Sequence, residues 1–188
     1  MHTRVEADTV VLRPDLDDGD VLAVLDVPLG VTPESPVTVR LAWPLVIVAQ
    51  AGPAVLDRFR AGGRRALLGP VASGRVVTAV RPTPLDGDAV PAPWEAILRV
   101  RIATRGPGAA TIRHFVVPED SLDLWHGPDG WMVGDVVVDV VTHDRAVARA
   151  DTPTLPGDVV RVERPGARTR AGLFAWSSPE TRSVEFAP

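Results

Sequence analysis

The chain has 188 residues, 45% of them hydrophobic, which matches one ordinary domain with enough apolar material for a substantial core. It has no cysteine, which excludes disulfides, thiolate metal sites and cysteine nucleophiles and fits a reducing compartment. The net charge of −4 gives no general attraction to nucleic acid, and the absence of lysine excludes Schiff-base chemistry.

Neither the N-terminal sequence nor the longest charge-free run predicts membrane insertion. Residues 1–15 scatter their charges and lack the long apolar core of a secretory signal. The run from Leu41 to Leu56 is shorter than the roughly 18–20 residues of a membrane-spanning helix, and Pro44, Gly52 and Pro53 interrupt it. We therefore expect a cytoplasmic protein that is not inserted in a membrane.

The first third of the chain has the two-residue periodicity of strands. Strands are predicted at Thr9–Arg13 and Val21–Val27, separated by an Asp-Gly turn. In "VTVRLAW" the alternation predicts one face with Val37, Val39, Leu41 and Trp43, opposite Thr38, Arg40 and Ala42. Pro44 then implies an edge strand, a bulge or a crossing between sheets, before a strand at Leu45–Ala49.

One segment predicts a helix. "GPAVLDRFRAGG" has Pro53 at a helix-start position and Gly62 at a stop. A strand at Arg75–Val80 follows, and then residues 81–94, which are rich in proline. We interpret that stretch as a long loop inside one domain, although it could also divide two subdomains.

The second half continues as strands. "LRVRI" alternates Leu98, Val100 and Ile102 with arginines, and "GDVVVDVVTH" sets Val136, Val138 and Val140 on one face. Further strands are predicted at Thr111–Val117, Val159–Glu163, Leu173–Ser177 and Ser183–Phe186. The whole pattern predicts a single all-β domain over 1–188, an antiparallel β-sandwich or sandwich-like barrel of roughly nine to twelve strands with at most one short helix.

Four segments resemble a known family. They are "RALLGPVASGRVV" (65–77), "EAILRVRIATRG" (95–106), "FVVPEDSLDLWH" (115–126) and "VVVDVV" (136–141). Their order is similar to that of the domain of unknown function 432 family, and "VTVRLAWPLVIV" is similar to that family's strand with an aromatic-proline step. The chain departs from the family pattern near residue 125, where Trp-His replaces tyrosines. The resemblance implies an all-β protein without an assigned activity, so it transfers no catalytic residue.

"LWHGPDGWM" (124–132) is the first candidate site, because it places two tryptophans around a turn. If Trp125 pairs with Trp131 across a hairpin, both indoles share a face with Asp123. Such a platform could bind a sugar by stacking or a cation by the ring quadrupole. The alternative is a tryptophan pair that only rigidifies the hairpin.

Histidines and arginines supply two further candidates. His114, His126 and His143 lie among carboxylates, but the sequence has no HxH, HxxxH or HExxH ligand spacing, which favours surface histidines. The second set consists of four arginines around Gly62-Gly63, namely Arg58, Arg60, Arg64 and Arg65. Their guanidinium groups could hold an anion, or they could form only a solvated basic loop.

The prediction for function is a non-catalytic binding or interaction module without a cofactor. Its partner would be a protein or small ligand, with a homo-oligomer also open because sandwiches leave sheet edges that need protection. Nucleic acid is not expected, since arginines and aromatics are not interleaved. The alternative is an enzyme with a loop-assembled, metal-dependent hydrolytic site that uses His114, His126 or His143.

Overall fold

The computed structural model describes residues 9–69, 71–142, 145–153, 155 and 157–162. These residues form fifteen strands and one short 3-10 turn, Glu119–Ser121. In the described ranges, no helix is long and apolar enough to span a bilayer. In chain order the strands are β1 (Val11–Asp15), β2 (Asp20–Val31), β3 (Val37–Pro44), β4 (Val46–Ala51), β5 (Ala54–Arg60), β6 (Arg64–Leu68), β7 (Arg75–Val80), β8 (Thr83–Pro84), β9 (Glu95–Thr104), β10 (Ala110–Pro118), β11 (Leu124–Gly127), β12 (Gly130–Val133), β13 (Asp135–Thr142), β14 (Arg145–Asp151) and β15 (Val160–Arg161).

The strands form three sheets. The largest has eight strands in the order β14-β13-β9-β12-β11-β15, with β3 on the opposite edge of β9 and β8 beside β3. The second has the order β10-β2-β7-β6, and the third, a small sheet, has the order β1-β4-β5. The main core lies between the two larger sheets, where β2 and β10 contribute Val21, Phe115 and Val117. The all-β sandwich fold predicted from the sequence is thereby confirmed.

The predicted alternation along the central strands is also confirmed. Leu41 and Trp43 of β3 are fully buried, as are Leu98, Val100 and Ile102 of β9. The intervening arginines of β9 lie on the opposite, more solvated face. Burying each leucine or isoleucine side chain contributes about 1.5–3 kcal/mol, so these positions hold the sandwich together.

The strand count and the strand directions differ from the sequence expectation. Three pairings are parallel: β2 with β7, and β9 with both β12 and β13. Strands β6 and β14 were not predicted, and two strands, β8 and β15, have only two residues each. Of the predicted strands, Leu173–Ser177 and Ser183–Phe186 lie outside the described residues.

The predicted helix after Pro53 is wrong, because this segment forms β5. Gly52 and Pro53 form the turn of a hairpin in which Gly52 has a φ of 56°. β5 then pairs with β4, which sets Phe59 opposite the buried Ile47. Pairing with a buried apolar strand stabilises these residues more than an isolated helix would, since tertiary packing overrides weak local propensity.

Two interpretations of proline-containing segments can be compared with the fold. Pro44 ends β3 in the largest sheet, and β4 then starts in the small sheet, so the crossing between sheets is the one of the three alternatives that the structure has. Within residues 81–94, β8 pairs with β3, and the Arg40 side chain donates to the carbonyl oxygens of Gly87 and Ala89. This stretch is therefore attached to the largest sheet.

Candidate functional site

The tryptophan hairpin forms, but its predicted register is wrong by one residue. Gly127 pairs with Gly130, which has a φ of 98°, so Pro128 and Asp129 are the turn. Trp125 consequently pairs with Met132, and Trp131 pairs with His126. Because paired residues share a face and neighbours alternate, the two indoles lie on opposite faces of the sheet and cannot form one platform.

Each tryptophan has its own surroundings. Trp131 packs against the main core, and its ring lies 4.4 Å from that of His126. Trp125 lies on the other face, beside β15, where it pairs with Arg161. Asp123 shares that face and forms an ion pair with Arg161 at 2.5 Å. These contacts give both indoles structural roles, and ligand binding by Trp125, Trp131 or Asp123 stays a prediction.

The histidines do not converge in the described part of the chain. His114 is half-buried on β10, and burial lowers its pKa below the ordinary value of 6.5. His126 is exposed on the hairpin, while His143 lies outside the described residues. Among the residues that are described, no three His, Cys, Asp or Glu side chains come together as metal ligands.

The predicted arginine set divides into two pairs. Arg58 contacts the Asp15 carboxylate and the Leu16 carbonyl oxygen, both at 3.2 Å, and Arg60 is buried. The side chains of Arg64 and Arg65 are exposed on β6 and make no hydrogen bond or ion pair within the described ranges. Only the second pair is therefore free to hold an anion or an acidic partner.

Arg60 ends in a buried cluster around Glu119, a residue that was not among the candidates from the sequence. The Glu119 carboxyl accepts hydrogen bonds from Trp43 Nε1 at 2.6 Å, Arg60 Nη2 at 2.5 Å and the Asp17 backbone N–H at 2.8 Å. Glu119 is fully buried, and the Arg60 side chain is 4% exposed. We call these four residues the Glu119 junction.

The Glu119 junction connects all three sheets. Trp43 lies one residue before the end of β3 in the largest sheet, Arg60 ends β5 of the small sheet, and Glu119 follows β10 of the four-stranded sheet. Burial raises the pKa of Glu119 above its ordinary value of 4.5, while Arg60, Trp43 and Asp17 oppose that shift. Arg60 Nε and Nη1 are buried and have no partner among the described residues, so the guanidinium depends on Glu119.

Exposed apolar side chains concentrate on the small sheet. The described part of the chain has thirteen exposed large hydrophobic residues, and six of them lie at β1 and β5. They expose about half of their surface each and are Val10, Val11, Leu12, Val55, Leu56 and Phe59. We call these six residues the apolar patch. Exposed apolar side chains that cluster on one small element of a folded domain are typical of a site of interaction.

The geometry of the small sheet explains this exposure. β4 lies in the middle and buries Val46, Ile47 and Val48, whereas β1 and β5 are edge strands among the described residues. Leu12 and Phe59 lie on the same face as Ile47, since their cross-strand partners follow one alternating set. Near the hairpin turn, Val11 and Val55 are exposed on the other face.

The patch was missed from the sequence because β5 was assigned to a helix. Read as a strand, "AVLDRF" carries apolar residues on both faces, which was the available signal. Comparison of the chain with protein-family models, with curated proteins and with solved structures found no match. The resemblance to the domain of unknown function 432 family stays a prediction.

Proposed function

We propose that this protein is a non-catalytic binding module that holds another polypeptide chain against the apolar patch. The observation that carries the proposal is the concentration of exposed apolar side chains on one small sheet. The six half-exposed side chains present on the order of 500 Å² of surface in all, divided between the two faces of the small sheet. Action in the cytoplasm belongs to the same proposal.

The edge position of β5 supports a polypeptide as the occupant rather than a small ligand. An edge strand presents a row of backbone donors and acceptors that another chain can satisfy. Small ligands instead bind in concave sites that enclose most of their surface. The apolar patch lies at the two edge strands of the small sheet, β1 and β5. Such an edge suits an extended chain better than a small molecule.

The test uses the absence of cysteine from the chain. Leu56→Cys and Val90→Cys each provide one thiol for a photo-activated cross-linker, and both native side chains are exposed, at 46% and 67%. After irradiation in a lysate of the source organism, we expect a discrete intermolecular product from position 56. Unlabelled wild-type protein should compete it away, and Leu12→Asp in the same labelled chain should remove it.

Position 90 is the matched control, because Val90 lies outside the small sheet. Equal products from positions 56 and 90 would mean that the patch has no special affinity for other chains. Absence of an intermolecular product from position 56, or a product insensitive to Leu12→Asp, would also overturn the proposal. Circular dichroism of each variant separates lost binding from lost folding.

A further inference from the structure

The partner can be described more closely from the charges around β5. Resting on the proposed function above, we infer that the occupant is an extended segment of a different protein, which adds a strand to β5 and carries acidic residues that reach Arg64 and Arg65.

Strand addition follows from the shape of β5. It has seven residues, pairs only with β4 among the described residues, and has exposed side chains on both faces. A strand added at its free edge would satisfy backbone groups and meet apolar neighbours on either face. Each favourable cross-strand pair contributes roughly 0.2–1 kcal/mol, so several pairs are needed for a measurable affinity.

A second copy of this chain fits β5 less well. Antiparallel partners pair residues of the same face, so a self-paired strand must have one residue opposite its own copy. The register that uses all seven residues of β5 sets Asp57 opposite Asp57. Like charges directly opposite each other destabilise a strand pair, which favours a partner with a different sequence.

The acidic preference follows from the arginines beyond the end of β5. The turn after Arg60 is short, with the Gly63 N–H donating to the Arg60 carbonyl oxygen at 3.3 Å, and β6 begins at Arg64. Arg58 and Arg60 are already paired with carboxylates of this chain, whereas Arg64 and Arg65 are not paired among the described residues. An added chain that extends beyond this end of β5 would approach the start of β6, where these two guanidinium groups are available.

The experiment compares synthetic strand peptides of alternating valine and threonine, labelled with a fluorophore, by fluorescence anisotropy. One pair of peptides carries two glutamates at either the N- or the C-terminal end, and a second pair carries lysines instead. We expect the better glutamate peptide to bind about fivefold more tightly than its lysine counterpart at low salt, since two exposed ion pairs are involved. Raising the ionic strength should reduce this ratio.

Two double variants of the full chain test the location. Arg64→Glu with Arg65→Glu should invert the preference between glutamate and lysine peptides. Arg101→Glu with Arg113→Glu, at two exposed arginines on other strands, should leave it unchanged. A glutamate peptide with N-methylated backbone should bind at least tenfold more weakly, because it cannot donate to the edge.

The inference is overturned if no peptide binds, if glutamate and lysine peptides bind equally, or if the control double variant has the same effect. It is also overturned if the product cross-linked at position 56 is a second copy of this chain. None of these results removes the proposed function, which is tested separately by selective cross-linking at position 56 and by the effect of Leu12→Asp on that product.

Discussion

Removing the carboxyl of Glu119 is the perturbation with the largest expected effect on stability. Glu119→Ala would leave Arg60, Trp43 Nε1 and the Asp17 N–H without their shared acceptor, inside a region that water does not reach. Breaking a buried ion pair by removing one partner costs about 3–5 kcal/mol. We expect a loss of about 4 kcal/mol in the free energy of unfolding.

A double-mutant cycle tests the origin of that loss. Glu119→Leu alone and Arg60→Met alone should each cost a similar amount, because each leaves one buried charged group without its partner. Glu119→Leu combined with Arg60→Met should cost clearly less than the sum, since replacing both charges by apolar groups removes the desolvation penalty. The raised pKa of Glu119 has the same origin, because burial penalises the charged carboxyl.

Urea unfolding followed by circular dichroism gives these free energies. The matched control is Asp26→Ala, which removes the exposed ion pair with Arg81 at 3.3 Å and should cost less than about 1 kcal/mol. The reasoning is refuted if Glu119→Ala costs no more than this control. It is also refuted if the effects of Glu119 and Arg60 replacements are additive, which would mean that the two side chains are not coupled.

Three further predictions concern pH and backbone geometry. The pKa of His114 is lowered in the folded state, so the folded protein binds fewer protons than the unfolded chain as the pH falls below 6.5. The free energy of unfolding should therefore decrease as the pH drops through that value. His114→Gln should make the urea midpoint depend less on pH. Gly127→Ala should cost about 1–3 kcal/mol because the new Cβ would lie 2.6 Å from Val159 Cγ1, and adding Val159→Ala should restore most of the melting temperature. Gly52→Ala should cost about 1 kcal/mol in chemical unfolding because of its positive φ, whereas an unchanged stability would show that the β4–β5 turn tolerates a side chain.

The central strands could be predicted from the sequence because their signal is local. Around Arg40 in β3 and around Arg99 and Arg101 in β9, apolar and polar side chains alternate, so the buried face follows from the period of a strand. An interruption at Pro44 could be predicted for a similar reason, since proline cannot donate within a continuous ladder, but the sequence did not distinguish a crossing from an edge strand or a bulge. No distant residue has to be known for these assignments.

The hairpin register shows how a local pattern can still mislead. Pairing the two tryptophans required a turn with an odd number of residues, such as residues 127–129, whereas Gly127 and Gly130 close a turn of two residues, Pro128 and Asp129. The glycine at position 130 was the available signal in the sequence, because glycine tolerates the positive φ that this turn requires better than other residues. A shift of one residue then moved Trp125 to the other face of the sheet.

The Glu119 junction could not be predicted because its members come from four distant segments. Trp43 and Glu119 are 76 positions apart, and Arg60 and Glu119 are 59 apart. No spacing rule connects an acid after one strand with an indole and a guanidinium at the ends of two others. The secondary structure of β5 also depends on a non-local contact, since its sequence suits a helix and becomes a strand through pairing with β4.

The Glu119 junction also bears on how β5 can bind a partner. The C-terminal half of β5 is fixed by the Arg58–Asp15 and Arg60–Glu119 ion pairs, while Val55, Leu56 and Phe59 stay exposed. A strand ordered in advance loses less conformational entropy on binding than one that must fold onto its partner. If β5 is the docking strand, Glu119→Ala should therefore weaken capture at position 56 at a temperature where the variant is still folded, although Glu119 lies outside the apolar patch. An unchanged yield of cross-linked product from that folded variant would show that the anchoring of β5 and its binding are independent.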